Sequence, residues 1–177
     1  MCSRTNPVFA VGDHEAFMEF ALIQAPKSPP AANKFCVGAI LVNADSGEVL
    51  STGFSVEYPQ DYKGDPGTTH AEHCCFIKIA DEHNLPEERI HEVLPANMAL
   101  YTTMEPCNGR LSGNMTCVTR ILRLKSTIRN VYVGIKEPGT FIADNDGQER
   151  LEANGIKVEF PVEHWRDRIT KVSMSGH

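Results

Sequence analysis

The order of helix-like and strand-like segments predicts an α/β domain with three layers, α/β/α, in which a mixed central sheet of about five strands carries helices on both faces. Apolar residues at helical spacing alternate along the chain with short β-rich runs of strand length. At 177 residues the chain has about the length of one compact domain. We therefore expect a flexible N-terminus over residues 1–12 and a single domain over residues 13–177.

Periodicity places five strands and five helices along the chain. Apolar runs predict strands over residues 35–42, 49–54, 98–102, 131–135 and 156–160. Helical spacing predicts helices over residues 13–24, 70–83, 117–124 and 149–153, and a last one after residue 161. Asp13 is a suitable N-cap for the first helix, and Thr68 or Thr69 for the second. The turn residues between the first two strands predict a hairpin.

The acidic balance of the chain argues against a polyanionic partner. Lys and Arg total 17 whereas Asp and Glu total 23, which gives a formal net charge of −6. Proteins that bind nucleic acid usually carry a basic surplus, so we expect no nucleic-acid partner. No apolar run approaches the ~20 residues of a membrane span, and the N-terminus lacks the apolar core of a signal peptide. We expect no membrane partner and a cytoplasmic location, with the nucleus left open.

The six cysteines suit a reducing compartment better than a set of disulfides. A free cysteine is commonly a small buried apolar residue, and we expect this role for Cys36, Cys74 and Cys75. Cys107 and Cys117 differ because of their neighbours: the first ends a Glu-Pro-Cys segment and the second opens a predicted helix. Their surroundings favour a metal site.

A histidine and these two cysteines form a candidate zinc site. Zinc prefers imidazole and thiolate, and three protein ligands leave a fourth position for water, as in catalytic zinc sites. His70, Cys107 and Cys117 supply those three ligands. Glu72 then stays free to carry a proton. Cys74 is the alternative ligand, since residues four apart share a helix face with His70.

The helix that follows His70 constrains how such a site is built. In a regular helix His70 and Glu72 point about 200° apart, so they converge only if His70 precedes the first helical turn. Each helix N-terminus also carries roughly half a positive charge, which favours thiolate and hydroxide near it. His73 and His83, further along the helix, are expected to be ordinary surface histidines.

These residues resemble the zinc-dependent nucleobase deaminase superfamily, whose signature is H-x-E followed by P-C-x-x-C. Residues 34–41 look like the first core strand of cytidine deaminases. Residues 53–57 look like the ribose-contacting strand end, with Ser55 where those enzymes usually carry asparagine. Nine residues separate Cys107 from Cys117, where the common pattern has two. This enlarged loop is similar to that of the riboflavin-pathway deaminases, above all of the fungal branch, the DRAP deaminases.

The resemblance spans roughly residues 14–160 and implies a cytidine deaminase-like fold with a Zn²⁺ cofactor. The implied reaction is hydrolytic deamination of 2,5-diamino-6-ribitylamino-4(3H)-pyrimidinone 5′-phosphate by zinc-activated water, with Glu72 as the catalytic proton carrier. The products are 5-amino-6-(ribitylamino)uracil 5′-phosphate and ammonia, within riboflavin biosynthesis. A homodimer is expected, since dimers are common in this superfamily. Candidate contacts to the small-molecule phosphorylated pyrimidine are Asn33, Glu57, Ala71, Arg110, Ser112 and Asn114.

The candidate contacts are expected to bind particular parts of the substrate. Arg110, with Ser112 and Asn114, is expected to hold the phosphate, because arginine suits bidentate phosphate recognition. Asn33 and Glu57 are candidates for ring or polyol contacts. For Arg110 a solvated loop charge is the alternative, and for Glu57 a carboxylate in water.

Two other functions stay open at this point. A cytidine, deoxycytidine or nucleic-acid base deaminase would share the metal chemistry, although the acidic balance and the enlarged loop count against it. A non-catalytic zinc module belongs to a different class. A structural zinc normally takes four closed ligands and needs no spare carboxylate, so Glu72 argues against that class.

Overall fold

The computed structural model describes residues 5–64, 67–139 and 145–177. Within these ranges the central sheet has five strands: β1 (Gly38–Asn43), β2 (Val49–Phe54), β3 (Met98–Met104), β4 (Ile128–Ile135) and β5 (Lys157–Glu159). The strands lie in the order β2-β1-β3-β4-β5. β1 runs antiparallel to β2 and to β3, whereas β3, β4 and β5 are parallel to one another. The predicted hairpin and mixed sheet are confirmed.

Helices cover both faces of this sheet. The described residues form five α-helices: α1 (His14–Gln24), α2 (Ala71–His83), α3 (Cys117–Arg123), α4 (Gly147–Ala153) and α5 (Arg166–Ser173). Successive side chains of a strand point to opposite faces. Ala39 and Leu41 of β1 therefore join the core under α2, α3 and α4, and Ile40 and Val42 join the core under α1 and α5. The α/β/α layering is as predicted. None of the described helices has both the length and the apolar character needed to cross a membrane.

One edge of the sheet gathers the segments that carry the predicted motifs. Ala39, near the start of β1, pairs with Thr102 near the end of β3, and Thr102 pairs in turn with Val133 near the end of β4. The chain thus leaves β3 and β4 at the edge where β1 enters. In α/β sheets, ligands bind outside the carboxyl ends of the strands. This edge is the expected place for a binding site.

Strand bounds differ from the sequence prediction where apolar runs stop. β3 continues to Met104 beyond the predicted residue 102, and β4 begins at Ile128 rather than residue 131. Pairing with a neighbouring strand needs backbone groups rather than apolar side chains. β4 can therefore begin at Ile128, which pairs with Met98, although the exposed Arg129 follows it at a shift in register. The turn-forming residues from Asp144 to Gly147 predict a loop, and Asp144 lies outside the described residues.

The segment before α1 lies against the hairpin. Val8 forms a β-bridge to the β1–β2 turn region, and the backbone N–H of Phe9 donates to a carbonyl of that turn at 3.0 Å. The ring centroid of Phe9 lies 5.5 Å from that of Phe17 in an edge-to-face contact. The Phe9 ring thus packs on α1, and the flexibility predicted for residues 1–12 stays a prediction. Residues 1–4 lie outside the described residues.

Candidate metal centre and active site

The entry to α2 positions His70 and Glu72. His70 is the N-cap residue with extended backbone (φ −91°, ψ 159°), and Glu72 lies in the first turn. Gly53 of β2 lets the helix start approach closely, because a Cβ there would lie 2.1 Å from the carbonyl oxygen of Ala71. As expected from the sequence, His70 precedes the first helical turn, so its side chain can point toward the same site as Glu72.

The N-cap predicted for α2 was wrong. Thr69 is not the capping residue, because its hydroxyl is used elsewhere: it donates to the carbonyl of Tyr58 at 3.2 Å and accepts from the N–H of Tyr58 at 3.3 Å. Thr68 is not the cap either, since its carbonyl oxygen accepts a 2.6 Å bond from Arg110 and the helix begins only after His70. Both threonines tie loops together around the site.

The two cysteines come from β3 and α3. Cys107 follows the end of β3, and Cys117 is the first residue of α3, for which Thr116 is the side-chain N-cap. The backbone N–H of Cys117 donates to the sulfur of Cys107 at 3.4 Å, and the N–H of Val118 donates to the carbonyl of Cys107 at 3.1 Å. The first turn of α3 therefore fixes the Cys107 side chain. This position agrees with the expectation that the positive N-terminus of a helix favours a nearby thiolate.

Three side chains converge on one point and form the metal group of this structure: His70, Cys107 and Cys117. Their ligand atoms lie within 4.8 Å of one another, the one group of this kind among the described residues. His70 Nδ1 is 3.5 Å from Cys107 Sγ and 3.4 Å from Cys117 Sγ. Tetrahedral Zn–N and Zn–S bonds of about 2.0 and 2.3 Å would set nitrogen and sulfur about 3.5 Å apart. The donor set and its spacing therefore fit a zinc ion.

The pKa values of the two thiols suit a metal site. Hydrogen bonding to Cys117, aided by His70 and opposed by burial, lowers the pKa of Cys107 to about 4. Hydrogen bonding to Cys107, together with burial, raises the pKa of Cys117. The pair therefore holds one thiolate without a metal. A bound cation would displace the second proton.

Glu72 lies beside this group without belonging to it. The residue is 3% exposed, and its two carboxyl oxygens lie 3.3 Å from Thr102 Oγ1 and 3.5 Å from Cys117 Sγ. Burial raises the pKa of the carboxyl group, opposed by the charge of His70. A buried carboxyl with a raised pKa exchanges protons near neutral pH more readily than an exposed one.

The alternative ligand lies elsewhere. Cys74 Sγ faces the carbonyl oxygen of Phe54 at 3.5 Å, and burial raises its pKa to about 12, so it stays a thiol. Cys36 and Cys75 are likewise buried, as expected for cysteines that pack in a core. The structure does not bring Cys74 into the metal group.

The surface position predicted for His73 was wrong. His73 is 2% exposed, and its Nε2 lies 2.8 Å from Glu87 Oε1. Arg120 of α3 donates to the other oxygen of Glu87 at 3.1 Å. Glu87 belongs to a short 3-10 helix that folds back over α2, a contact that helical periodicity cannot reveal. His83, by contrast, is exposed as predicted.

A cavity of about 290 Å³ opens above the metal group. This volume suits a small-molecule ligand. His70, Glu72 and Cys107 contribute to its wall together with further residues, and the whole lining comes from five segments of the chain. Those further residues are Asn33, Lys34, Phe35, Val37, Ser55, Val56, Gly67, Thr68, Thr69, Met104, Glu105, Gly109, Arg110, Leu111, Ser112 and Glu137.

Three of the predicted substrate contacts line this cavity, namely Asn33, Arg110 and Ser112. The other three are absent from its wall. Ala71 is fully buried against β2. The carboxylate of Glu57 forms an ion pair with Lys78. The side-chain oxygen of Asn114 accepts a 2.6 Å bond from its neighbour Met115 within the loop.

Three charged cavity residues, Lys34, Glu105 and Glu137, had no assigned role in the sequence interpretation. Lys34 stands in the segment before β1, and Glu137 follows β4. Burial raises the pKa of Glu137 to about 7, although Asn145 donates to it. Glu137 carried no usable sequence signal, because it lies outside the metal motifs and its depth depends on how β4 meets the loop after β3.

The chain belongs to a family defined by the same motifs. The family described as cytidine and deoxycytidylate deaminase zinc-binding region matches residues 11–135. A curated relative, the diaminohydroxyphosphoribosylamino-pyrimidine deaminase of Schizosaccharomyces pombe, is 35% identical over 165 residues. That match covers 93% of this chain and 36% of the relative, so the chain spans about a third of the relative's length.

Solved structures give the same family. The Rib2 deaminase of Aspergillus oryzae, a C-terminal deletion mutant at pH 4.6, is 38% identical with a TM-score of 0.81, over 93% of this chain and 92% of that one. The same enzyme in complex with DARIPP is 38% identical with a TM-score of 0.79, over 93% and 91%. The deaminase/reductase of Thermotoga maritima, at 24% identity and a TM-score of 0.65, shares the fold over 90% of this chain and 38% of that one. The predicted cytidine deaminase-like fold is confirmed.

Proposed function

We propose that this chain is a zinc-dependent aminohydrolase that acts on 2,5-diamino-6-ribitylamino-4(3H)-pyrimidinone 5′-phosphate in riboflavin biosynthesis. The observation that carries the proposal is the convergence of one imidazole and two sulfurs beside a buried carboxyl group that is not part of the metal group. The similarity to the deaminases of S. pombe and A. oryzae supports the class of substrate. Ammonia and 5-amino-6-(ribitylamino)uracil 5′-phosphate would be the products.

His70, Cys107 and Cys117 are the proposed zinc ligands. A zinc ion bound there supplies Lewis acidity that lowers the pKa of a coordinated water toward about 7. Three protein ligands leave room for that water, whereas a structural zinc takes four. The two thiolates and the neutral imidazole would hold the ion, and the first turn of α3 stabilises the Cys107 sulfur through the N–H of Cys117.

Glu72 is the proposed proton carrier. Its carboxylate takes a proton from the attacking water, donates it to the ring nitrogen next to C2, and delivers the second water proton to the departing amine. Water thus adds to C2, the bond from C2 to the amino nitrogen breaks, and the ring keeps the new oxygen. The hydroxyl of Thr102 lies 3.3 Å from Oε1 of Glu72 and shares its single proton between this oxygen and the carbonyl of Met104 at 2.9 Å.

Arg110 and Ser112 are the proposed phosphate contacts at the cavity wall. The guanidinium is already positioned by its 2.6 Å bond to the carbonyl of Thr68, so less side-chain entropy is lost when phosphate binds. Asn33 is the proposed contact to the ring or the ribityl chain. Glu57, Ala71 and Asn114 stay predicted contacts that the cavity does not support, since none of them lines it.

Ammonia release tests the proposal. Wild type is assayed on the ribitylamino phosphate beside the ribosylamino phosphate, cytidine and guanine, with zinc content measured on the same samples. Glu72→Gln should keep one zinc per chain and lose about 10²–10⁴-fold in kcat, the usual share of a general acid–base group. Glu82→Gln, which changes an exposed carboxylate later on the same helix, is the matched control and should match wild type.

Each alternative gives a different result. Turnover on cytidine alone would replace the substrate while leaving the metal chemistry in place. A zinc-loaded protein without turnover on any of the four compounds, whose stability the Glu72→Gln substitution leaves unchanged, would be a structural zinc module.

Three further expectations stay predictions: the single domain over residues 13–177, the homodimer and the cytoplasmic location. Light scattering on the purified chain tests the dimer.

A further inference from the structure

Glu137 is a cavity-lining carboxylate that the proposed chemistry does not use. It stands two residues beyond β4, which ends at Ile135, on the sheet edge where β3 also ends. Its neighbour across that edge is Glu105, the first residue after β3 and a second wall residue of the cavity. The carboxylate therefore lines the same cavity as the metal group, from the end of a different strand.

The Glu137 carboxylate is held in place before any ligand binds. Its backbone N–H donates to Glu105 Oε2 at 3.1 Å, and its Oε2 accepts from Asn145 Nδ2 at 2.7 Å. Asn145 is itself fixed, since it donates to the carbonyl of Pro106 at 3.1 Å and accepts from the N–H of Gly147 at 2.9 Å. The carboxylate is thus held by one hydrogen bond from a donor that is itself fixed, on a backbone that Glu105 also fixes. Such a side chain is partly preorganised for recognition, because less entropy is lost on binding.

This carboxylate has acceptor capacity to spare. Within residues 5–64, 67–139 and 145–177, Asn145 alone donates to it, and no lysine, arginine or histidine there pairs with it. A carboxylate that is partly withdrawn from water is costly unless N–H or O–H groups satisfy its oxygens. A ligand that presents N–H groups to this wall would satisfy them.

Cytidine and the diaminopyrimidinone differ in the number of N–H donors on the base. The amino group that leaves is the only N–H donor on the base of cytidine. The diaminopyrimidinone carries further donors: its N3–H, its 5-amino group and the N–H of its 6-substituent. A phosphate has no N–H group to offer this wall, and the ionised carboxylates of Glu137 and Glu105 would repel it, so the base and not the phosphate belongs here.

We propose that Glu137 is a specificity-determining residue whose free carboxylate oxygen accepts hydrogen bonds from the ring and amino N–H groups that cytidine lacks. The inference rests on the proposed function and names how the same site selects its base. A site built to pair with substrate N–H groups rejects an analogue without them, because the buried acceptor then stays unpaired. Glu137 contributes to binding of the base, and Glu72 carries the protons.

The test compares Glu137→Gln and Glu137→Ala with wild type, and uses Glu149→Gln, which changes an exposed carboxylate on α4, as the matched control. In Glu137→Gln the bond from Asn145 keeps the amide oxygen, so the amide NH₂ turns toward the N–H groups of the base. We expect KM for the ribitylamino phosphate to rise roughly ten- to hundredfold. We expect kcat to stay within about threefold, and the control to match wild type.

Binding of a second ligand distinguishes a specificity role of Glu137 from a merely structural one. Cytidine 5′-monophosphate, used as a competitive inhibitor, should bind Glu137→Gln as well as wild type or better, since it offers no N–H to this wall. Zinc content and melting temperature are measured on every variant. Should Glu137→Ala be poorly folded, the isosteric Glu137→Gln decides alone.

The outcomes also separate this inference from the proposed function. An active wild type with unchanged KM in Glu137→Gln, or with a loss confined to kcat, overturns the role of Glu137 and leaves the reaction standing. Equal weakening of the substrate and of cytidine 5′-monophosphate overturns it as well, as that pattern reports a damaged cavity. A zinc-loaded wild type without turnover overturns both.

Discussion

Replacing Gly53 with alanine tests whether the close approach of β2 and α2 sets the geometry of the active site. A Cβ at this position would lie 2.1 Å from the backbone oxygen of Ala71. Ordinary contact begins at 3.4 Å, so the first turn of α2 must move back by about 1.3 Å. Ala71 lies between His70 and Glu72, so both functional side chains move with it.

The expected cost of Gly53→Ala follows from that displacement. Overpacking against backbone that cannot rotate away costs about 1–3 kcal/mol of the free energy of unfolding. A misplacement of about 1 Å in a catalytic group costs about 10²-fold in rate. We expect weaker zinc binding and a kcat lowered about a hundredfold, in a chain that still folds.

The assay combines urea unfolding with zinc titration and ammonia release. Gly155→Ala is the matched control: Gly155 has φ +83° and no atom within 4 Å of its would-be Cβ, so alanine there adds backbone strain of about 1–2 kcal/mol but no clash. The control should lose stability and keep the zinc affinity and kcat of wild type. If Gly53→Ala kept both as well, the close approach would not position the site.

Two further predictions concern the metal ligands and the pH dependence of stability. Cys117→Ser should lose stoichiometric zinc, whereas Cys74→Ser should keep it, as measured by colorimetric release; equal loss in both would contradict the ligand assignment. Burial alone would raise the pKa of Glu87, but the hydrogen bond and charge of His73 outweigh burial and lower that pKa. A group with a lowered folded pKa stabilises fully above its unfolded pKa of about 4.3, and this stabilisation is lost as the pH falls through the folded value. Glu87→Gln should therefore be destabilised at pH 7, with a difference from wild type that shrinks in acid, as measured by urea unfolding. A difference that stays constant with pH would count against the pairing.

Local patterns were sufficient for most of the fold. The N-cap at Asp13 was predicted from its side chain, and its oxygen accepts from the N–H of Ala16 at 3.1 Å in the structure. The hairpin was predicted from turn residues between two apolar runs. Such features depend on a few neighbouring residues, so a sequence reveals them. Strand ends were missed where pairing across the sheet, as at Met104, extends a strand beyond its apolar run.

Contacts between segments far apart in the chain escaped the sequence interpretation. His73 was placed on the surface because nothing in α2 shows that Glu87 and Arg120 enclose it. Glu57 was chosen as a candidate substrate contact because it follows β2, and nothing in that segment shows that its carboxylate pairs with Lys78. Each of these outcomes depends on how two elements pack, and periodicity within one element carries no information about its partner.

The sequence by itself determined the chemistry available to this protein: an imidazole, two thiols and a spare carboxyl group, in the order that a three-ligand zinc site requires. Ligand type and spacing are properties of short segments, so they can be recognised before any fold is known. Only the tertiary structure decided which other side chains share the cavity with the imidazole, the thiols and the carboxyl group. The wall formed by Glu137, Glu105 and Arg110 exists because the ends of β3 and β4 and a long loop meet at one sheet edge. That meeting is set by packing across the whole domain, which no local pattern records.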